Sequence, residues 1–336
     1  MTVPKISIIV PVYNVYEYID DFFACLRAQT FVDYEAIVWD DGSSDGSAEL
    51  CDIAAIQDTR IRVFHSENQG VALARRSAVA KSKGKYIAFA DPDDVLAPGY
   101  LKEMFDLAEE ENLDLVASQC FEEANPRVDV SSDGGQAKSV LLISGAECAA
   151  KILDRDFDSS GCPIRAELWG KLYRRSLFEG VAFPVQRTCS DVMLLAGVIC
   201  RVKQAAVMTN KLYHYRISRK DSLQTKVALG KLTDIWNSHK YMTRKFRQSF
   251  IIKQYYYIID EYCTLFHIFT NIMQWSNLSD SNELREAFFK YQKRLKSLPY
   301  SKQFPMSIRM KRLIYFSGYA VSKSVFHMYL RTRKGN

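Results

Sequence analysis

Three carboxylates crowd into residues 91–94, where Asp91, Pro92, Asp93 and Asp94 follow the apolar run Tyr86 to Ala90. Like charges this close repel one another unless a cation sits among them. Carboxylate oxygens are hard donors, so Asp91 and Asp93 suit Mg²⁺ or Mn²⁺, metals that fill their remaining positions with water and substrate phosphates. An Asp-x-Asp step at the end of a strand therefore points to a diphosphate partner. Pro92 biases Asp91 to an extended backbone and stiffens the loop that presents the ligands. Taken alone, the same residues also fit a solvated turn built from ordinary turn formers.

A second polar cluster, WDDGSSDGS at residues 39–47, follows another apolar run. Gly42 and Gly46 permit a tight turn, and Asp40 or Asp41 can accept hydrogen bonds from a base N–H or a ribose hydroxyl. Neither the P-loop spacing nor G-x-G-x-x-G occurs, and an acidic loop repels phosphate, so this loop suits the nucleoside end of a ligand. A competing reading exists. Gly42-Ser43-Ser44-Asp45-Gly46 matches G-x-S-x-G, and Asp191 then His214 follow Ser44 in the order of a serine hydrolase triad. No HGGG-type oxyanion segment accompanies it, and it leaves the three aspartates unexplained.

These loops need a scaffold that brings them together. ISIIVPV (6–12) and YEAIVWDD (34–41) read as strands buried on both faces, IRVFHS (61–66) as a short strand and KYIAFAD (85–91) as another. Between them YIDDFFACLRAQ (18–29), SAELCDIAAIQ (47–57) and GVALARRSAVAKSKG (70–84) read as helices, the last with Gly84 in the capping position after its end. Strand and helix in alternation specify an α/β fold with a mostly parallel sheet, whose ligands bind beyond the carboxyl ends of the strands. Tyr13 and Asn14, Asp40 and Asp41, and Asp91, Asp93 and Asp94 should then meet at one edge. Residues 124–161 read as irregular, 166–178 as a strand or short helix, and the chain after Ser222 as helical, with 249–269 a core helix.

The 336 residues allow two domains at ~150 residues each. We expect a nucleotide-binding domain over 1–222 and a helical region over 223–336. Hydrophobic residues make up 48% and charged residues 25%, as in a soluble globular protein. Eight scattered cysteines form no C-x-x-C pair, which suits buried thiols in a reducing cytosol. MTVPKISIIVPVYN lacks the apolar core of a signal peptide, and no apolar stretch reaches the ~20 residues of a membrane span. From Lys296 to Asn336 there are nine Lys or Arg and no acidic residue, interleaved with Leu313, Ile314, Tyr315, Phe316, Val325, Phe326, Tyr329 and Leu330. Such a tail suits an anionic membrane surface better than nucleic acid, or else packs its apolar face on the core.

ISIIVPVYN, WDDGSSDGS, NQGVALARRSAVAKSKGKYIAFADPDD and LWGKLYRRSLF, in this order, resemble the family 2 glycosyltransferases with the GT-A fold, of the type that assembles bacterial capsule, exopolysaccharide and lipopolysaccharide. The resemblance is dense over residues 5–101, patchier to 223 and thin beyond. It implies that Pro11, Tyr13 and Asn14 line a nucleoside pocket, that Asp41 contacts a uracil ring, and that Asp91 and Asp93 hold the ribose and a Mg²⁺ or Mn²⁺ bridging the diphosphate, with Asp94 beside them. It further implies a general base at Asp191, an aromatic at Trp169 near the acceptor, and Arg216 or Lys220 facing the leaving diphosphate.

The activity so implied is inverting transfer of a hexose or N-acetylhexosamine from a UDP-sugar to a lipid-linked or polymeric glycan, at the cytoplasmic face of the membrane. Two departures stand out. Ser190 replaces the usual acidic neighbour of the base, which also raises a non-catalytic sugar-nucleotide-binding relative as an alternative. Arg76 and Ala78 alter the common ARNxG step. Simpler roles also exist: Trp169 as core, His214 as a structural histidine, and Arg75 and Arg76 as a solvated helix face.

Overall fold

The computed structural model describes residues 3–127, 139–154, 163–186, 188–217, 228–276, 281–302 and 304–334. Its first third is built from βαβ units. Strands β1 (Ile6–Val12), β2 (Tyr34–Asp40), β3 (Ile61–His65) and β4 (Tyr86–Phe89) lie parallel in the order β3-β2-β1-β4. Helices α1 (Ile19–Arg27), α2 (Ser47–Gln57) and α3 (Val71–Lys81) cross between them. The continuous apolar sequence of β1 has a direct reason: the sheet is covered on both sides. Ile6, Ile8, Val10 and Val12 enter one core with Phe22, Phe23 and Leu26 of α1. Ile9 of the same strand points into a second core with Ile37, Ala78 and Ile87, as the two-residue side-chain period demands.

Beyond β4 the sheet becomes mixed. In chain order follow β5 (Val95–Leu96), α4 (Tyr100–Glu110), β6 (Leu115–Glu123), β7 (Val140–Ser144), α5 (Gly145–Asp154), β8 (Lys171–Arg174) running into a 3₁₀ turn (Arg175–Phe178), α6 (Ser190–Ile199) and β9 (Gln204–Arg216). The sheet order is β3-β2-β1-β4-β8-β6-β9-β5, with β7 also on β9. β8 is antiparallel to both β4 and β6, and β5 and β7 are antiparallel to β9, while β6 and β9 are parallel. The α/β class read from the sequence holds, with its parallel part concentrated at the N-terminal edge.

Helices α7 (Leu229–Ser249), α8 (Gln254–Ser276), α9 (Asn282–Ser297), α10 (Met306–Phe316) and α11 (Tyr319–Lys334) complete the chain. They surround a third core of Ile259, Phe269, Trp275, Phe288 and Leu295. Met242, Phe246 and Tyr257 instead join the second core, so the end of α7 and the start of α8 also pack onto the α/β part. The expected boundary after residue 222 lies outside the described residues. No described helix is long and apolar enough to cross a membrane.

Three local expectations change. Residues 124–161, read as irregular, contain the strand β7, which pairs with β9, and the helix α5, whose Cys148, Ala149, Ile152 and Leu153 enter the second core. α3 ends at Lys81 with an extended Ser82, and Gly84 is not its capping residue. Gly84 is instead pressed against β1, where an added Cβ would lie 2.5 Å from the Ser7 nitrogen, and its N–H donates to Ser7 Oγ at 2.8 Å. The helix expected from residue 249 begins at Gln254, because α7 extends to Ser249 and residues 251–253 make the turn.

Candidate active site

The polar loops meet where the sequence pattern requires, beyond the carboxyl ends of β1, β2 and β4. Val12 pairs with Asp40 in register. The Asp41 N–H donates to Val12 O at 2.9 Å, and the Ala90 N–H to Ile9 O at 3.1 Å. The two loops after β1 and β2 brace each other. Asn14, in the left-handed region at φ 50°, receives the Ser44 N–H on Oδ1 at 2.9 Å, and its own N–H donates to Ser43 Oγ at 3.1 Å. Val15 N–H donates to Ser47 Oγ and Tyr16 N–H to Asp45 Oδ2. Pro11 is buried within β1, while Tyr13 is 49% exposed beside the braced loop.

Asp40 and Asp41 are both 3% exposed. Asp40 accepts from Ser43 N–H at 3.1 Å and pairs with His65 Nδ1 at 3.0 Å, and this carboxylate, ahead of Asp52, pushes the His65 imidazole above its ordinary value against the opposing effect of burial. Asp41 receives the Gln69 N–H on one oxygen at 2.9 Å and the Gly70 N–H on the other at 2.7 Å. Asp41 therefore fixes the approach to α3. That matters because α3 carries Arg75.

Arg75 is the residue that the sequence reading left on a solvated helix face. It is 8% exposed, and its Nη2 lies 3.2 Å from Asp91 Oδ1. Asp191, in the first turn of α6, lines the same narrow crevice as Arg75, with Leu168, Phe183 and Ser190. Burial pushes the Asp191 carboxyl up, opposed by Arg75. Burial also pushes Asp91 up to about 6, opposed by Arg75 and reinforced by Asp93 and Asp191. One guanidinium thus compensates two carboxylates, Asp91 at 3.2 Å and Asp191 in the crevice, that raise one another's cost of ionising. Its Nε is buried with no hydrogen-bond partner among the described residues.

The third carboxylate of the cluster is used differently. Asp94 is 2% exposed. Its Oδ2 accepts from the Tyr213 hydroxyl at 2.7 Å and its Oδ1 from the Arg216 N–H at 2.8 Å, while burial raises its pKa well above the ordinary value, with Asp93 and Asp91 adding to the shift. Arg216 Nε donates to Asp93 O at 2.7 Å, and its guanidinium carbon lies 4.8 Å from the Tyr18 ring centre. Asp94 and Arg216 therefore hold the aspartate loop against β9. Trp169, 5% exposed, stacks on Tyr213 at 4.6 Å and Tyr215 at 5.1 Å. It is a wall residue and offers little ring surface to an acceptor. Lys220 lies outside the described residues.

The donor chemistry of Asp91 and Asp93 fits Mg²⁺ or Mn²⁺: both are partly exposed at the strand edge, and their mutual repulsion helps hold Asp91 up. Two carboxylates leave coordination positions for water and phosphate oxygens. Among the described residues no group of three or more His, Cys, Asp or Glu side chains is placed to hold a metal ion.

The hydrolase constellation does not assemble. Ser44 is exposed, whereas His214 is fully buried, with Nδ1 3.1 Å from Glu123 and its ring stacked on Phe121. A buried imidazole committed to another partner cannot serve an exposed serine.

Residues 7–131 match the family described as glycosyl transferase family 2. Over these residues the chain is family 2 glycosyltransferase sequence. EpsH of Bacillus subtilis, assigned to the glycosyltransferases, is 31% identical over 222 residues, covering 65% of this chain and 62% of EpsH. The chain thus spans just under two thirds of that relative. Among solved structures, TarS 1-349 of S. aureus in complex with UDP-GlcNAc superposes with a TM-score of 0.65 at 16% identity, over 96% of this chain and 92% of the TarS chain. The mannosyltransferase PcManGT of Pyrobaculum calidifontis, in complex with GDP-Man and Mn²⁺, gives a TM-score of 0.55 at 15% identity, over 95% and 87% of the two chains. Both likenesses extend along nearly the whole chain and support the GT-A fold of its α/β part.

Sequence reasoning missed Arg75, Tyr213 and His65 as parts of this region. The available signals were slight: the adjacent Arg75 and Arg76 in α3, of which one must face the core, and the alternation of Tyr213 and Tyr215 along a strand.

Proposed function

We propose that this protein is an inverting, metal-dependent glycosyltransferase that takes a hexose or N-acetylhexosamine from a UDP-sugar and places it on a lipid-linked or polymeric glycan in cell-surface polysaccharide synthesis. The observation that carries the reading is the convergence of Asp91 and Asp191 on Arg75 at the carboxyl edge of the parallel strands. The UDP-GlcNAc complex of TarS supports a nucleotide-sugar donor, and the Mn²⁺ of PcManGT supports a divalent cation. The basic segment after Lys296 supports work at the cytoplasmic face of a membrane, where a lipid-linked acceptor resides.

In this reading the exposed Tyr13, beside Asn14, Asp40 and Asp41, bounds the nucleoside end. Asp91 and Asp93 would hold Mg²⁺ or Mn²⁺, which when bound neutralises the diphosphate and stabilises it as a leaving group. The orphaned Arg75 Nε is a donor for an anionic oxygen, as a diphosphate site needs. Asp191 acts as general base: its raised pKa brings it nearer to working pH, where a base combines availability with proton affinity. The acceptor oxygen forms its bond to the anomeric carbon while the bond from that carbon to the diphosphate oxygen breaks. The acceptor proton passes to the Asp191 carboxylate, UDP leaves with the electron pair, and the anomeric configuration inverts. Ser190 supplies no second charge, so burial, opposed by Arg75 and reinforced by Glu167, sets the basicity of Asp191.

The test is melting temperature with UDP plus Mn²⁺, UDP plus EDTA and Mn²⁺ alone, for the wild type and Asp93→Ala, followed by UDP release from UDP-sugars. A ligand at 100 times its Kd adds about 2.7 kcal/mol. The expected result is metal-dependent stabilisation by UDP that disappears in Asp93→Ala. Absence of stabilisation by any nucleoside diphosphate overturns the donor assignment. Stabilisation without UDP release from any sugar nucleotide favours a binding protein.

A further inference from the structure

Helix α10 has two apolar sides. Ile308 and Tyr315 face the third core at 0% and 7% exposure, whereas Met306, Met310 and Leu313 are 64%, 52% and 64% exposed. At ~100° per residue the exposed three form one stripe, about 180° from the buried pair. A helix lying on a core in water ordinarily turns polar residues outward, so this stripe lacks its natural partner. Aromatic residues with cations above them edge it. The Arg312 guanidinium lies 4.9 Å from the Tyr300 ring centre and 4.6 Å from that of Phe316, and Lys296 Nζ lies 5.4 Å from Phe316. One turn on, Ser317 opens into a cleft of about 370 Å³ lined by Arg285, Phe289, Gly318 and Val321. From Ala287 to Asn336 the sequence carries twelve Lys or Arg and no Asp or Glu. The nearest acidic residues in sequence, Glu283 and Glu286, belong to the first two turns of α9.

We propose that the outer face of α10 docks the protein on an anionic lipid bilayer, with Met306, Met310 and Leu313 entering the boundary between headgroups and acyl chains and the flanking Lys and Arg meeting phosphate. This goes beyond a general attraction of the basic tail by naming the face that inserts, and it stands independently of the donor site. Charge complementarity selects the occupant. A second copy of the chain would set one segment rich in Lys and Arg, with no acidic residue from 287 to 336, against another, and a nucleic acid would leave the methionines and the leucine without an apolar contact. A bilayer satisfies both components, since interfacial helices combine an apolar stripe with a basic flank, and the stems of Lys and Arg extend along apolar surface while their heads stay in water.

The experiment is flotation of the full chain with vesicles of mixed phosphatidylglycerol and phosphatidylcholine, and with phosphatidylcholine alone, for the wild type, Leu313→Gln and Met310→Glu/Leu313→Glu. The expected result is partitioning about tenfold or more stronger onto the anionic vesicles, and a loss of about tenfold or more in the double variant. Both substituted positions are exposed, so melting temperature and its shift with UDP plus Mn²⁺ should stay at wild-type values. Those two readouts report on the fold and the donor site, and flotation reports on the face. Wild-type protein that stays with the unbound fraction, or a double variant that floats as well as wild type, overturns the proposal. A stable wild-type dimer that Leu313→Gln dissociates, with no vesicle binding, overturns it in favour of self-association.

Discussion

The Tyr213 hydroxyl donates to Asp94 Oδ2 at 2.7 Å and accepts the Asp91 N–H at 3.1 Å, so one phenol on β9 ties together both ends of the aspartate step. The residues are 119 positions apart in the chain. Tyr213→Phe leaves the buried Asp94 carboxylate short of a donor, while the partly buried Asp91 N–H can turn to water. The loss at the carboxylate costs about 1–3 kcal/mol. Chemical denaturation should show a stability loss in that range, and titration with UDP plus Mn²⁺ should show a Kd raised by roughly tenfold, about 1.4 kcal/mol. A variant that is less stable yet binds UDP and Mn²⁺ unchanged would remove Tyr213 from any positioning role.

Asp191→Asn keeps the shape of the crevice and removes the proton acceptor. General-base catalysis contributes roughly 10²–10⁴ in rate, so turnover should fall by about that factor while the melting-temperature shift with UDP and Mn²⁺ persists. If turnover survives within about threefold, the base lies elsewhere.

Arg75 opposes the upward shift of both Asp91 and Asp191. Replacing it by Gln removes that opposition, so both carboxyls rise and stay protonated to a higher pH. The acid side of the rate–pH profile should move upward, with the largest loss of activity at low pH and partial recovery as pH increases. Rate–pH profiles of the wild type and Arg75→Gln measured side by side decide this; superimposable acid limbs exclude the coupling.

Lys171 is 2% exposed and its Nζ donates to Glu167 O at 2.7 Å and Trp169 O at 3.3 Å. Burial pulls its pKa down to about 8, against Glu167. The unfolded chain, near 10.4, then binds more protons than the folded one between about pH 8 and 10.4, so stability from this group rises with pH across that window and is lowest below it. Relative to Lys171→Met, the wild type should gain about 2 kcal/mol between pH 7.5 and 9.5. Parallel urea titrations at the two pH values measure it, and an unchanged difference rules the shift out.

Trp169 stacks on two tyrosines beneath the site. Trp169→Ala should cost about 3–5 kcal/mol of stability, whereas Trp169→Phe, which keeps an aromatic in the stack, should retain most activity. A large activity loss in a stable Trp169→Phe variant would restore a contact with the acceptor.

The sequence by itself determined the parallel part of the sheet, because nearly continuous apolar strands such as Ile6–Val12, interrupted only by Ser7, are buried on both faces, and helices between such strands force parallel pairing. That in turn carried Asn14, Asp40, Asp41 and the aspartates at 91–94 to one edge, since the carboxyl ends of parallel strands lie together. Local chemistry of this kind is written in consecutive residues. The division of labour among the carboxylates was decided by tertiary structure alone. Asp94 became a brace because β9 places Tyr213 and Arg216 against it, and Arg75 became the charge between Asp91 and Asp191 because α3 is buried where α6 arrives. Leu313 faces solvent and Tyr315, two residues on, faces the core. These are long-range juxtapositions, and the energy of a buried charge or an exposed methionine depends on what is packed against it rather than on its neighbours in the chain.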